Sequence, residues 1–247
     1  MALAGTDRGT GGNTTSATSL AVVPASNFTP GALAVLCVGY DNSMTSPTAG
    51  GDPFVSIADD SGANVWTSRV ASLNDPGAAN AGCTLRIFTC YVWTLLTSHT
   101  ITVSFGAVSV PSKAWTLMEV TAAAGSTPEF STGAQTTGTS TNPTITSSSI
   151  TSGNMIVGAI AAESNAAMTA DSDSTNGNWS ANQSGSAGNG TSAANIEIMS
   201  QRKVTTGTGT QTYNLALTSS DWCAGWVELV ERAIPAPGSA VRARIAQ

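Results

Sequence analysis

The sequence predicts an all-β chain, organised as two tandem β-sandwich domains of jelly-roll or immunoglobulin-like type. An internal duplication with extended N- and C-terminal arms completes the expectation. Three observations carry it. Short apolar segments recur between Gly, Pro, Asn and Asp clusters, the punctuation of strands and turns. No long segment sustains apolar residues at the three-and-four spacing of a helix. Segments of the first half also return, in order, in the second. A length of 247 residues with 41% hydrophobic and 10% charged side chains provides enough apolar surface for a core and suits one large or two small domains.

The elements follow in chain order. Residues 1–16 are rich in Gly and Thr, lack a core pattern and read as an arm. Residues 33–40, Leu-Ala-Val-Leu-Cys-Val-Gly-Tyr, read as a strand buried on both faces. Residues 43–53 read as an inserted loop, being rich in Pro, Gly, Ser and Thr. An acidic turn from Asp59 leads into Trp66, and an apolar strand covers residues 85–93. Ile101, Val103 and Phe105 alternate onto one strand face, as do Trp115, Leu117 and Glu119. Residues 123–142 read as a linker between a first sandwich at 17–122 and a second at 143–232. Within the second, residues 155–160, 196–199, 213–217 and 226–230 read as strands, with Thr frequent because a β-branched side chain suits a pleated surface. Residues 233–247 are broken by Pro, mildly basic, and read as a C-terminal arm.

The repeat rests on ordered matches. Residues 30–42 match 152–164, and the turn Asp59 to Trp66 matches Asp171 to Trp179. Val92 with Val204, Val103 with Leu215 and Glu119 with Glu231 all fall at one constant spacing. The first match lies further apart, as an insertion at residues 43–53 would require.

Composition narrows the function. A net charge of −6 gives no basic surface for gripping nucleic acid or an anionic membrane. No apolar run approaches the roughly 20 residues of a spanning helix, and the first residues lack the basic and apolar regions of a signal peptide. Any nucleophile–histidine chemistry would rest on the single His99, which reads as a turn residue. Cys37, Cys83, Cys90 and Cys223 contain no Cys-x-x-Cys pair and read as buried free thiols made in a reducing cytosol.

The repeated unit resembles a β-sandwich module of bacteriophage structural proteins. The resemblance lies in the opening strand at residues 31–38, the Asp60–Trp66 turn, and the segments 85–93, 99–105 and 115–120, over roughly residues 17–232. It implies a non-enzymatic virion role, assembled in the host cytoplasm, without cofactor or catalytic residues. The first expectation is a capsid decoration or cement protein that contacts the major capsid protein or other virion subunits, as a homo-oligomer by analogy. The alternative is a tail fibre, spike or baseplate protein that binds a host receptor or glycan; a carbohydrate-active enzyme ranks third.

Candidate sites are few. Asp59, Asp60, Asp171 and Asp173 could ligate calcium, but Asp and Asn in such turns also bond their own backbone, and that reading is preferred. Glu119 and Glu231 occupy equivalent strand ends, one per repeat, instead of facing each other as a glycosidase pair. No Gly-x-Ser-x-Gly elbow is present, and residues 185–190 read as a flexible Gly-rich loop. Trp66, Trp115 and Trp179 fit the repeat and read as core. Trp93, Trp222 and Trp226 are interface candidates, together with Arg232, Arg242 and Arg244 near the C-terminus.

Overall fold

A computed structural model describes residues 3–42, 52–77, 81–164, 166–188 and 195–234. These residues contain no helix and fifteen strands. The first eight are β1 (Ala4–Asn13), β2 (Ser19–Val22), β3 (Leu33–Asp41), β4 (Ser56–Asp59), β5 (Trp66–Asn74), β6 (Cys83–Tyr91), β7 (Ile101–Ser104) and β8 (Lys113–Thr121). The remaining seven are β9 (Ser126–Ser140), β10 (Thr144–Ile150), β11 (Met155–Ala162), β12 (Gln183–Ala187), β13 (Ile196–Val204), β14 (Gly209–Asn214) and β15 (Ser220–Ala233).

The strands form four antiparallel sheets. One five-stranded sheet has the order β1-β8-β3-β6-β5, and the other has the order β9-β15-β11-β13-β12. In each, the earliest strand forms an edge and pairs with the latest, so the two orders correspond strand for strand. The small sheets are β2-β7-β4 and β10-β14. Where the second small sheet would hold a partner for β4, the chain makes one bridge, Thr169 with Ala216.

Alternation along the strands sorts side chains into three cores. Val35 and Cys37 of β3, Leu85 and Ile87 of β6 and Met118 of β8 meet Val157, Ala159, Ile198, Val227 and Leu229 across a central layer. The opposite face of the first large sheet packs Leu36, Val38, Tyr40 and Phe88 onto Leu20, Val22, Ile101 and Val103. The outer face of the second packs Ile156, Ile160 and Met199 onto Ile145, Tyr213 and Leu215. The layers therefore run small sheet, large sheet, large sheet, small sheet. Every residue of β3 and β11 is buried because each lies mid-sheet with both faces covered.

Small residues let the large sheets approach. A Cβ on Gly39 would sit 2.8 Å from that of Ala161, and one on Gly225 would sit 2.7 Å from a Val70 methyl. Thr116 and Ser200 share a buried hydrogen bond of 2.7 Å across the layer. Both margins are stitched as well. Ser72 and Asn74 of β5 donate to the carbonyls of Thr136 (3.0 Å) and Gly138 (2.8 Å) on β9. At the other margin Arg202 of β13 pairs with Asp7 of β1.

Three sequence expectations are corrected here. Residues 4–13, read as arm, form the edge strand β1, and residues 126–140, read as linker, form β9. An edge strand satisfies its backbone through one neighbour and needs little apolar pattern, so Gly/Thr-rich segments can supply it. Each of these edge strands carries a one-residue bulge, at Arg8 and at Ser131. Gly185, Ser186 and Ala187, read as loop, lie in β12, and a side chain at Gly185 would not fit. The four cysteines are buried and free, with Cys83 and Cys90 on opposite faces of β6.

The margin of β12 yields a prediction. A Cβ at Gly185 would lie 2.5 Å from the Gly11 carbonyl oxygen and 2.6 Å from that of Trp115, both main-chain atoms of paired strands. Gly185→Ala is expected to lower stability by roughly 1–3 kcal/mol in urea denaturation. Tryptophan emission and far-UV circular dichroism should fall together in wild type and variant, because both halves share one core.

Candidate functional site

The largest exposed aromatic surface lies at one end of the large sheets. A cleft of about 450 Å³ opens there between Tyr91, which ends β6, with the following Val92 and Trp93, and the turn joining β8 to β9, with Pro30 and Ile234 also on its walls. Trp93 is 73% exposed on its rim, and Tyr91 is 41% exposed beside it.

The rim is fixed from the Asp59 turn. One Asp59 carboxylate oxygen accepts from the Ser61 main-chain N–H (3.0 Å) and the Ser61 hydroxyl. The other accepts from Asn64 Nδ2 (3.0 Å) and Trp66 Nε1 (2.7 Å). Asn64 then accepts from the Trp93 main-chain N–H (2.9 Å) and donates to the Thr94 carbonyl (2.8 Å). The Asp-x-x-x-x-Asn-x-Trp spacing thus ties the β4–β5 turn to the loop that presents Trp93.

Two glutamates hold further parts of the wall, Glu119 the segment beside Val92 and Glu231 the β8–β9 turn. Glu119 accepts from the Thr29 main-chain N–H (2.7 Å) and pairs with Arg8, whose bulged position brings its guanidinium to the carboxylate. Glu231 accepts from the Ala123 main-chain N–H (3.1 Å), and Ile234 donates to the Gly125 carbonyl (2.8 Å). Glu119 and Glu231 therefore each anchor a cleft-lining segment, but the expected equivalence of the two is corrected by the register: Glu119 lies opposite Ala34 of β3, and the residue opposite Ile156 at that place in the second sheet is Glu228.

The second acidic turn uses its carboxylates in the same manner. Asp171 accepts from the main-chain N–H groups of Asp173 (2.7 Å) and Asn214 (2.9 Å). Asp173 accepts from the Thr175 N–H (3.0 Å) and pairs with buried Lys203 at 3.2 Å. The Thr175 N–H, with Lys203 assisting, holds the Asp173 carboxyl below its ordinary range. Lys203 also lies 4.8 Å from the Trp179 ring centroid. Asp60 accepts from the Thr100 N–H at 3.1 Å. The four calcium candidates thus spend carboxylate oxygens on hydrogen bonds within their turns and to neighbouring strands. Among the described residues, no three His, Cys, Asp or Glu side chains are grouped to hold a metal ion.

The remaining candidates separate. Trp222 (6% exposed) and Trp226 (2%) pack in the outer core of the second large sheet, so of the three interface tryptophans Trp93 alone has exposed surface. β15 runs mid-sheet between β9 and β11, and Ile145 and Tyr213 of the small sheet belong to the layer that covers this face. Arg232 pairs with Glu129 across the β15–β9 ladder. Arg242 and Arg244 lie outside the described residues. His99 closes a turn, its Nδ1 accepting from the Leu96 N–H at 3.2 Å.

One polar cluster escaped sequence reading. Fully buried Asp41 ends β3, with Glu163 following β11 at the matching place in the second half. Burial raises the Asp41 carboxyl to about 8, the Glu163 charge adds to this, and the Asn42 N–H opposes it. Burial also raises Glu163, against its hydrogen bond from the Gly82 N–H. The aligned residue pair was the available signal; its spatial contact needs the packed sheets.

Folded Asp41 keeps a proton up to about pH 8, whereas the unfolded chain releases it near pH 4. The associated stability is fully present below about pH 4 and is lost as pH rises to about 8. Asp41→Asn should remove at least about 1 kcal/mol of the stability decline between pH 5 and 8, read from urea midpoints across that range. A second outcome concerns the rim. Asn64→Ala should cost roughly 1–2 kcal/mol and raise the exchange rate of the Trp93 amide proton in NMR hydrogen exchange.

Comparison with family models, curated proteins and solved structures finds no match for this chain.

Proposed function

We propose that this chain is a non-enzymatic structural protein of a bacteriophage virion, formed by duplication of a β-sandwich module. The favoured role is a capsid decoration or cement protein on the shell exterior. The corresponding strand orders of the two large sheets support the duplication. The observation that carries the role is the shared central layer. It joins two sandwiches face to face through Val157, Ala159, Val227 and their partners, giving one block without a hinge between them. Such a block can bridge neighbouring subunits and resist their separation. Its acidic turns and strand-end glutamates support this reading by serving as structural anchors. Stabilisation would come from binding the assembled shell in preference to free subunits.

A second reading, a tail fibre, spike or baseplate protein that contacts the host surface, is favoured by exposed Trp93 alone.

Localisation separates the two. Under the favoured reading, a virion reconstruction shows density for the chain on the outer capsid. Particles stripped of it release DNA several degrees lower in a thermal melt, and added protein restores the midpoint. Density confined to the tail, or an unchanged melt, rejects the cement role.

A further inference from the structure

We infer that the cleft beside Trp93 is a binding site for a neutral polysaccharide, with pyranose rings stacked on the indole. The inference goes beyond the proposed virion role and does not depend on whether the protein sits on a shell or a tail.

Exposure is the first argument. The chain has six tryptophans, and five of them are at most 9% exposed, whereas Trp93 is 73% exposed. A large indole left in water at the mouth of a concavity is a ready stacking surface for the apolar C–H face of a sugar. Tyr91 adds a second exposed ring and a hydroxyl.

Rigidity is the second. Asn64 contacts the main chain on both sides of the Trp93 peptide link, at 2.9 and 2.8 Å, and is itself fixed by Asp59. Across the cleft, Glu231 and the Ile234–Gly125 hydrogen bond fix the opposing turn. A ligand therefore meets a platform already ordered, which lowers the entropy cost of binding.

Lining chemistry selects the ligand class. No charged residue is among the described residues that line the cleft. The nearby carboxylates of Glu119 and Glu231 are turned onto main-chain N–H groups. Thr29, Ser126, Thr127 and Tyr91 place hydroxyl-bearing side chains around an otherwise apolar surface. Hydroxyls both donate and accept, as a polyhydroxylated ligand requires. An anionic ligand would find no cation among the described lining residues, on a chain of net charge −6. The volume, about 450 Å³, falls within the range of small-molecule sites.

The test uses the full chain. Neutral and anionic glycans on an array identify binders, and the strongest is titrated by calorimetry and by acrylamide quenching, which reaches exposed Trp93 before the buried five. A neutral oligosaccharide should bind and protect the emission from quenching. Trp93→Ala should weaken binding by about tenfold or more, while Trp93→Phe retains part of it. Trp93→Ala should leave the thermal midpoint within about 1–2 °C, because the ring is outside the core. No neutral binder, a preference for anionic glycans, or unchanged affinity in Trp93→Ala would overturn the inference. Failure of the cement role would appear separately, in particle melting, and would leave these readings untouched.

Discussion

Close contact between the inner faces of the two large sheets governs this molecule. Antiparallel sheets usually face water on one side, yet here each large sheet is covered on both. The contact depends on small residues where the sheets come nearest, with Gly39 against Ala161 and Gly225 against Val70. A larger side chain at either glycine would force the layers apart and expose Val35, Leu85, Val157 and Val227, which need that proximity to leave water. The buried polar groups follow from the same constraint. Thr116 and Ser200 satisfy each other inside the layer, and Asp41 stays protonated at its end.

Stacking also determines where function can reside. With the sheet faces covered, exposed surface for recognition is confined to margins and ends. At one end, loops following β6 and β8 come together because their strands lie in the same sheet, with β3 between them. Glu231 fastens the loop following β8, and Glu119 fastens Thr29 just ahead of β3. Thus two unlike carboxylate contacts support one feature, the Trp93 cleft.

Much of the fold was legible because burial on both faces leaves a continuous apolar run. Residues 33–40 and 155–160 announced the two central strands. The turn from Asp59 to Trp66 was legible from the habit of Asp and Asn to bond nearby backbone. The edge strands were not, since β1 and β9 are recognised by the backbone of β8 and β15 more than by side chains. Trp222 and Trp226 were misread for a related reason: their burial depends on the layer that covers the outer face of β15, a property of tertiary packing and not of local pattern. Asp41 and Glu163 could be aligned, but their shared environment exists only once the sheets stack. Trp93 was a candidate by elimination from the repeat, and its support by Asn64 depends on contact between separate loops.

The stitching of β5 to β9 has a consequence for crowded copies. Sheets with bare margins can grow into ribbons when another chain's backbone continues the ladder. Here the Thr136 and Gly138 carbonyls already receive Ser72 and Asn74, and a bulge at Ser131 interrupts the ladder further along β9. An incoming strand would have to displace the molecule's own side chains to dock along that margin. Contacts between copies are thereby directed toward finite, side-chain-defined patches, and open-ended polymerisation along this edge is disfavoured.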